Sequence, residues 1–129
     1  MTDMSVLDQV EQSLRIPVLE GLQAQGDLIV IPVPGPIDPP GARWVRVPPE
    51  GVELLRGGAG GNTHMLVAEP GTCRWTPHRA DWQDLGVFTA SAEVYLLHPE
   101  HGALGCAPGT YVVRRQREHE RGGSRLVAD

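Results

Sequence analysis

Val94-Tyr95-Leu96-Leu97-His98-Pro99-Glu100-His101 is an apolar run that ends on a polar, proline-broken corner. Pro108-Gly109 and then Thr110-Tyr111-Val112-Val113 answer it with a turn and a second apolar run. Successive strand side chains point to opposite faces. Val94, Leu96 and His98 therefore share one face, with Glu93, Tyr95 and Leu97 on the other. An earlier run, Thr63 to Val67, puts His64 on the face of Leu66. Both histidines line up with core-type residues, so strands with one buried face explain the pattern better than helices do.

The same texture extends in both directions from this corner. Asp27-Leu28-Ile29-Val30-Ile31-Pro32-Val33 is rich in β-branched residues and reads as a strand whose proline end lies at an edge. Pro34-Gly35-Pro36-Ile37-Asp38-Pro39-Pro40 cannot pair regularly and reads as an exposed loop. Arg43 to Val47 alternates, Pro48 to Gly51 turns, and Val52 to Leu55 forms a short run. Gly57 to Gly61 reads as a hinge or bulge. After Thr63 to Val67 come a turn at Pro70-Gly71 and a weak run at Cys73 to Trp75. A polar loop over Thr76 to Asp84 precedes strands at Gly86 to Thr89 and Ala92 to His98. The last main strand runs from Thr110 to about Arg117, with a short tail strand at Arg125 to Val127. Many short strands with turn residues between them predict an all-β fold, a small barrel or sandwich of antiparallel strands.

The N-terminus differs. Val6, Val10 and Leu14 recur at four-residue spacing until Pro17, which predicts one amphipathic helix. Val18 to Gln23 then adds a short turn. The domain reading is a helical segment over 1–25 and a β-domain over 26–129.

Composition narrows the function classes. At 129 residues the chain forms one domain with enough interior to fold without staples. Its 16 glycines and 12 prolines favour turns over long helices. No leader and no long apolar run is visible, which predicts a soluble cytoplasmic protein that does not enter membranes. A net charge of −5 argues against nucleic-acid binding. All 11 basic residues are arginine, so lysine chemistry such as a Schiff base is excluded. Cys73 and Cys106 read as small buried hydrophobes, with a single disulfide between them as the alternative.

Several residues carry candidate chemistry. His64, His98 and His101, with Glu100 as fourth ligand or orienter, have the donor set of a zinc or non-haem iron site with an open position. The alternative is that the corner histidines bond only backbone and solvent. His78 and His119 lie in polar surroundings and read as solvated. Arg114, Arg115 and Arg117 suit an anion, although alternation separates the first from the other two. No catalytic nucleophile can be assigned, because Ser91, Ser124 and the cysteines have no elbow or base motif beside them. Trp44, Trp75 and Trp82, with the proline-rich loop, are candidate partner contacts, or else core filling.

Four anchors together carry a resemblance: Gly26-Asp27, Gly61-Asn62-Thr63-His64, His98-Pro99-Glu100-His101-Gly102, and Pro108-Gly109-Thr110-Tyr111 leading to Arg115-Gln116-Arg117-Glu118-His119. They resemble a group of small uncharacterised bacterial and phage-associated β-proteins. That group's pattern is Gly-His-x-His, His-x-Glu-His, Pro-Gly-x-Tyr-x-Val and a closing Gln-Arg-Glu-Tyr. Here Asn62 replaces the first middle histidine and His119 the terminal tyrosine. The resemblance implies a fold and no activity. A weaker likeness to cupins rests on Gly102, Pro108 and Gly109 and lacks their His-x-His pair. Two functional expectations follow: a non-catalytic binding or assembly module acting on protein partners or copies of itself, or a cupin-like metal-dependent enzyme.

Overall fold

A strand with one apolar face has to bury that face, and this chain does so by stacking one sheet on another. The computed structural model describes residues 16–56, 62–120 and 123–126. Residues 1–15, where the amphipathic helix is expected, and the glycine hinge at 57–61 lie outside them. In chain order the strands are β1 (Val18–Leu19), β2 (Gln23–Gln25), β3 (Leu28–Val33), β4 (Val45–Arg46) and β5 (Val52–Arg56). They continue as β6 (Thr63–Ala68), β7 (Cys73–Pro77), β8 (Asp84–Ala90), β9 (Val94–His98) and β10 (Gly102–Cys106). The last are β11 (Gly109–Arg115), β12 (Arg117–Glu120) and β13 (Gly123–Leu126).

One sheet has the order β1-β10-β9-β6-β5, the other β2-β3-β11-β8-β7-β4, and β12 and β13 pair apart from both. The all-β expectation holds, in its sandwich form. The sheets do not close into a barrel. Val18–Leu19 and Gln23–Gln25 are strands where a helical segment ending in a short turn is expected, and β1 runs parallel to β10 where every other pair is antiparallel. No helix among the described residues is long and apolar enough to cross a membrane.

The core lies between the two inner faces. Leu28, Val30, Trp75, Phe88, Tyr111 and Val113 face Leu54, Leu66, Val94, Leu96 and Leu104 across it. Phe88 and Tyr111, directly paired on β8 and β11, stack with ring centres 4.9 Å apart. Tyr111 donates its hydroxyl to the Ala107 carbonyl at 2.7 Å, fixing the corner between β10 and β11. Burial pushes the pKa of that phenol above its ordinary value, with Cys106 and Glu20 adding to the effect. Pro32 behaves as its chemistry demands. β2 pairs no further than Val30, so the proline meets only β11.

Trp75 is 5 % exposed and belongs to the core, which removes it from the candidate partner contacts. Its indole lies across Gly86, the one position on β8 without a side chain to obstruct it. A β-carbon there would stand 2.4 Å from both the Thr76 carbonyl and the indole edge. Gly86→Ala should therefore destabilise the sandwich by about 1–3 kcal/mol through overpacking, seen as an earlier urea midpoint.

Cys73 and Cys106 are both buried and free, so the disulfide alternative is not realised. Desolvation raises each thiol from its ordinary value of 9.0 to about 12, and Cys106 adds repulsion at Cys73. The thiolate is the reactive form, so native protein should resist thiol reagents at neutral pH and label only once unfolded in urea. The sign for stability follows from the same shift. The unfolded thiols lose protons above 9.0 while the folded ones keep them to about 12. Stability should be complete below the first value and fall progressively towards the second, as alkaline urea titrations would record.

Candidate functional site

The polar centre of the sandwich starts from a two-residue hairpin. Gln25 and Leu28 pair, which leaves Gly26-Asp27 as the loop between β2 and β3. Gly26 takes φ of 60°, and among the described residues no non-glycine residue, Asp27 included, has positive φ, as a type II′ hairpin turn requires. Gln116, just past β11, holds this turn in place. Its side-chain amide donates to the Gly26 carbonyl at 2.6 Å and its backbone N–H to the Asp27 carbonyl at 3.0 Å. The hairpin is thereby fixed with Gln25 and Asp27 aimed inwards, at 4 % and 6 % exposure.

Both residues grip His64, which is fully buried on β6. Gln25 Nε2 donates to the carbonyls of Leu96 at 3.0 Å and Gly102 at 2.8 Å. With both amide hydrogens so used, Gln25 Oε1 can only accept, and His64 Nδ1 stands 2.9 Å from it. That nitrogen therefore carries a hydrogen. On the other side His64 Nε2 lies 2.8 Å from Asp27 Oδ1. A hydrogen must sit between those two atoms as well, so the pair holds one shared proton, as imidazolium and carboxylate or as imidazole and carboxylic acid. The cluster is bonded on every side that the histidine presents.

The corner at 98–101 does come alongside residue 64. The His98 ring centre is 4.3 Å from that of His64, and His101 lies 4.6 Å from His98. His101 is exposed and nearly parallel to His64, at 6.4 Å and 8°. The three imidazoles form a column from solvent to the buried Asp27. Convergence is not coordination, however. His98 Nδ1 accepts the backbone N–H groups of Glu100 and His101, each at 3.1 Å, which places the ring hydrogen on Nε2. A neutral imidazole offers a metal one lone pair, and His98 has already turned its own on the backbone of its turn. Asp27 takes the corresponding side of His64. Glu100 accepts from Asn62 Nδ2 at 2.8 Å, so its carboxylate is turned to that amide. Among the described residues no group of three His, Cys, Asp or Glu side chains is placed to hold a metal ion. In this structure His64, His98 and His101 thus stand as a column of imidazoles in ring contact, with His64 and His98 hydrogen-bonded to other groups and Glu100 turned to Asn62.

The other candidates separate. Arg114 Nε donates to Asp84 Oδ1 at 2.8 Å, and Nη2 approaches Gln83 Oε1 at 3.3 Å and Asp81 Oδ2 at 3.7 Å. It is neutralised by acids on its own sheet and its preceding loop, and Arg115 points to the opposite face. The side chain of Arg117 lies outside the described set, as does that of His119. Of the three arginines, Arg114 is thus the one already paired with acids among the described residues. Trp44 is half-buried and donates to Asp38 Oδ1 at 2.9 Å, while Trp82 stays 44 % exposed.

Gln25 and Asp27 are the residues that sequence reading missed, and a signal for them existed. Gly-Asp between a short polar run and a β-branched run is a two-residue hairpin signature. It would have brought position 25 beside position 28 and aimed both flanks at β6. If the cluster is structural, His64→Ala should cost about 3–5 kcal/mol in urea unfolding by leaving Asp27 buried and unpaired. His101→Ala, at the exposed end, should cost less than about 0.5 kcal/mol.

No curated protein and no solved structure matches this chain. One family model does, over residues 24–116, from the start of the β2–β3 hairpin to the glutamine that clamps it. Every residue of the histidine column and its partners falls within that span. The chain belongs to the family described as a domain of unknown function, DUF8820.

Proposed function

We propose that this protein is a non-catalytic assembly module that acts through protein–protein contacts, with a second copy of the same chain as its partner. The observation that carries this reading is the edge of the five-stranded sheet. Val18 and Leu19 on β1 are 37 % and 50 % exposed, and Leu22, on the link to β2, is 58 % exposed. β1 pairs on one side with β10 and, among the described residues, with no strand on the other. Apolar side chains on an open edge are what a soluble domain ordinarily avoids. A twofold axis beside β1 would set the same strand of a second copy against it, antiparallel, continuing the ladder and burying both leucines. Such contacts are self-complementary and close on themselves.

The inner polar cluster supports the same reading. Its histidines are held by Gln25, Asp27 and the backbone of the 98–101 turn, so they specify the fold rather than offer free bases. A cytoplasmic setting fits the two unpaired buried thiols. The net charge of −5 favours a protein partner over nucleic acid.

Sedimentation velocity over a concentration series tests the proposal. The parent chain should run as a reversible dimer, and Leu19→Asp should run as a monomer with unchanged circular dichroism. A parent that stays monomeric throughout, or a variant that dimerises as well as the parent, would overturn it.

A further inference from the structure

On the outer face of the six-stranded sheet, register sets two arginines side by side. Arg46 on β4 is the direct partner of Arg74 on β7, which is in turn the partner of Thr89 on β8. Thr89 is opposite Thr110 on β11, and their hydroxyls are 3.0 Å apart. Directly opposed residues have β-carbons about 4.5–5.5 Å apart, so like charges there repel. Both arginines are exposed. Among the described residues neither guanidinium forms an ion pair or a side-chain hydrogen bond, and that in a chain whose acids outnumber its bases by 16 to 11. Arg114, three strands from Arg46 on the same sheet, has its own acids. Arg46 and Arg74 have none.

Arg74 is also fixed in direction. Its guanidinium carbon lies 4.7 Å from the centre of the Trp44 ring, and Trp44 is itself anchored through its indole N–H to Asp38. Stacking uses the flat face of a guanidinium and leaves its in-plane donors directed outwards. They face an open groove of about 230 Å³ lined by Arg46, Arg74, Thr72, Thr89 and Ser91. Thr72 and Ser91 give their hydroxyl hydrogens to backbone carbonyls. With buried Thr110 as donor to Thr89, the Thr89 hydroxyl keeps its own hydrogen for the groove.

We propose that this groove binds a phosphate group, held between the forks of Arg46 and Arg74 with Thr89 as a third donor. A doubly charged tetrahedral oxyanion satisfies both guanidiniums at once and removes their repulsion, whereas a single carboxylate neutralises only half of it. The site is independent of self-association, because β4 and β7 belong to the other sheet from β1.

Titration of the full chain with inorganic phosphate, followed by amide resonances in solution, tests this. Saturable shifts should appear at residues 46, 71–74 and 89–91, and acetate at the same concentration should leave them nearly unmoved. Arg46→Gln and Arg74→Gln should each weaken binding about tenfold or more, the loss expected for a charge-assisted hydrogen bond. Both sit on the surface, so thermal unfolding should stay where it was. The double Lys variant, R46K with R74K, keeps the charges but not the forks and should also bind more weakly. Phenyl phosphate distinguishes the source: tighter binding marks an ester, equal binding the free ion. Shifts that never saturate or scatter over the surface would overturn the proposal, as would a double Gln variant that binds like the parent.

Discussion

Gln25 ties the two sheets together at their polar end. It sits on β2 of one sheet, donates to carbonyls on β9 and β10 of the other, and accepts from His64 on β6. Few side chains could take its place. Glutamate would lack the two donors, and leucine would leave two carbonyls and an imidazole N–H without partners in a water-poor interior. An unmet buried polar group costs about 1–3 kcal/mol, so the arrangement tolerates very little change. Once Gln25 is fixed, the turn that bears Asp27 is fixed as well, and Asp27 then decides which way the ring of His64 faces. Gln23 repeats the device two residues earlier, donating to the Gly105 carbonyl at 2.7 Å.

This dependence explains why a sandwich with two ordinary inner faces should keep a histidine at its centre. An apolar residue at 64 would pack, but it would leave the register of the β2–β3 hairpin to turn geometry alone. A one-residue slip reverses every side chain of a strand. Here such a slip would pull Gln25 off two carbonyls and Asp27 off an imidazole together. The buried polar cluster gains little net energy over a hydrophobic core. Its effect is to make the wrong pairing costly, one attested use of buried polar groups.

The sequence showed the layers more readily than the junctions. Val94, Leu96 and His98 have the alternation that the structure buries, and Asp27 to Val33 has the β-branched density of β3. β10 was overlooked because Gly102-Ala103-Leu104-Gly105-Cys106 offers one large side chain in five positions. Its strand character comes from β9 and β1 on either side. β1 and β2 were hidden for a related reason. Two and three residues are too few for periodicity, and their pairing is decided by distant partners. At the site, alternation was enough to turn His64 and His98 inwards. It could not say whether their nitrogens were available, since that depends on Gln25, Asp27 and a turn backbone, all remote from them in sequence or invisible as side chains. The arginines failed in the opposite direction. Arg114 and Arg115 are neighbours in the chain and alternate to opposite faces of β11, whereas Arg46 and Arg74 are 28 positions apart and directly paired.

The two sheets consequently have different outward characters. The five-stranded sheet ends in β1, whose apolar side chains are exposed and which, among the described residues, pairs with β10 alone. The six-stranded sheet carries its uncompensated charge on β4 and β7, beside an edge that only Val45 and Arg46 make. Strand addition at that second edge would be opposed by the arginines, which resist desolvation and repel each other further when brought together. The same pair that makes the groove attractive to an anion therefore makes its edge a poor site for another chain. Association through β1 leaves that groove open, and an anion bound there would not cover β1. If both proposals hold, the two surfaces are separate enough for one to be occupied without covering the other.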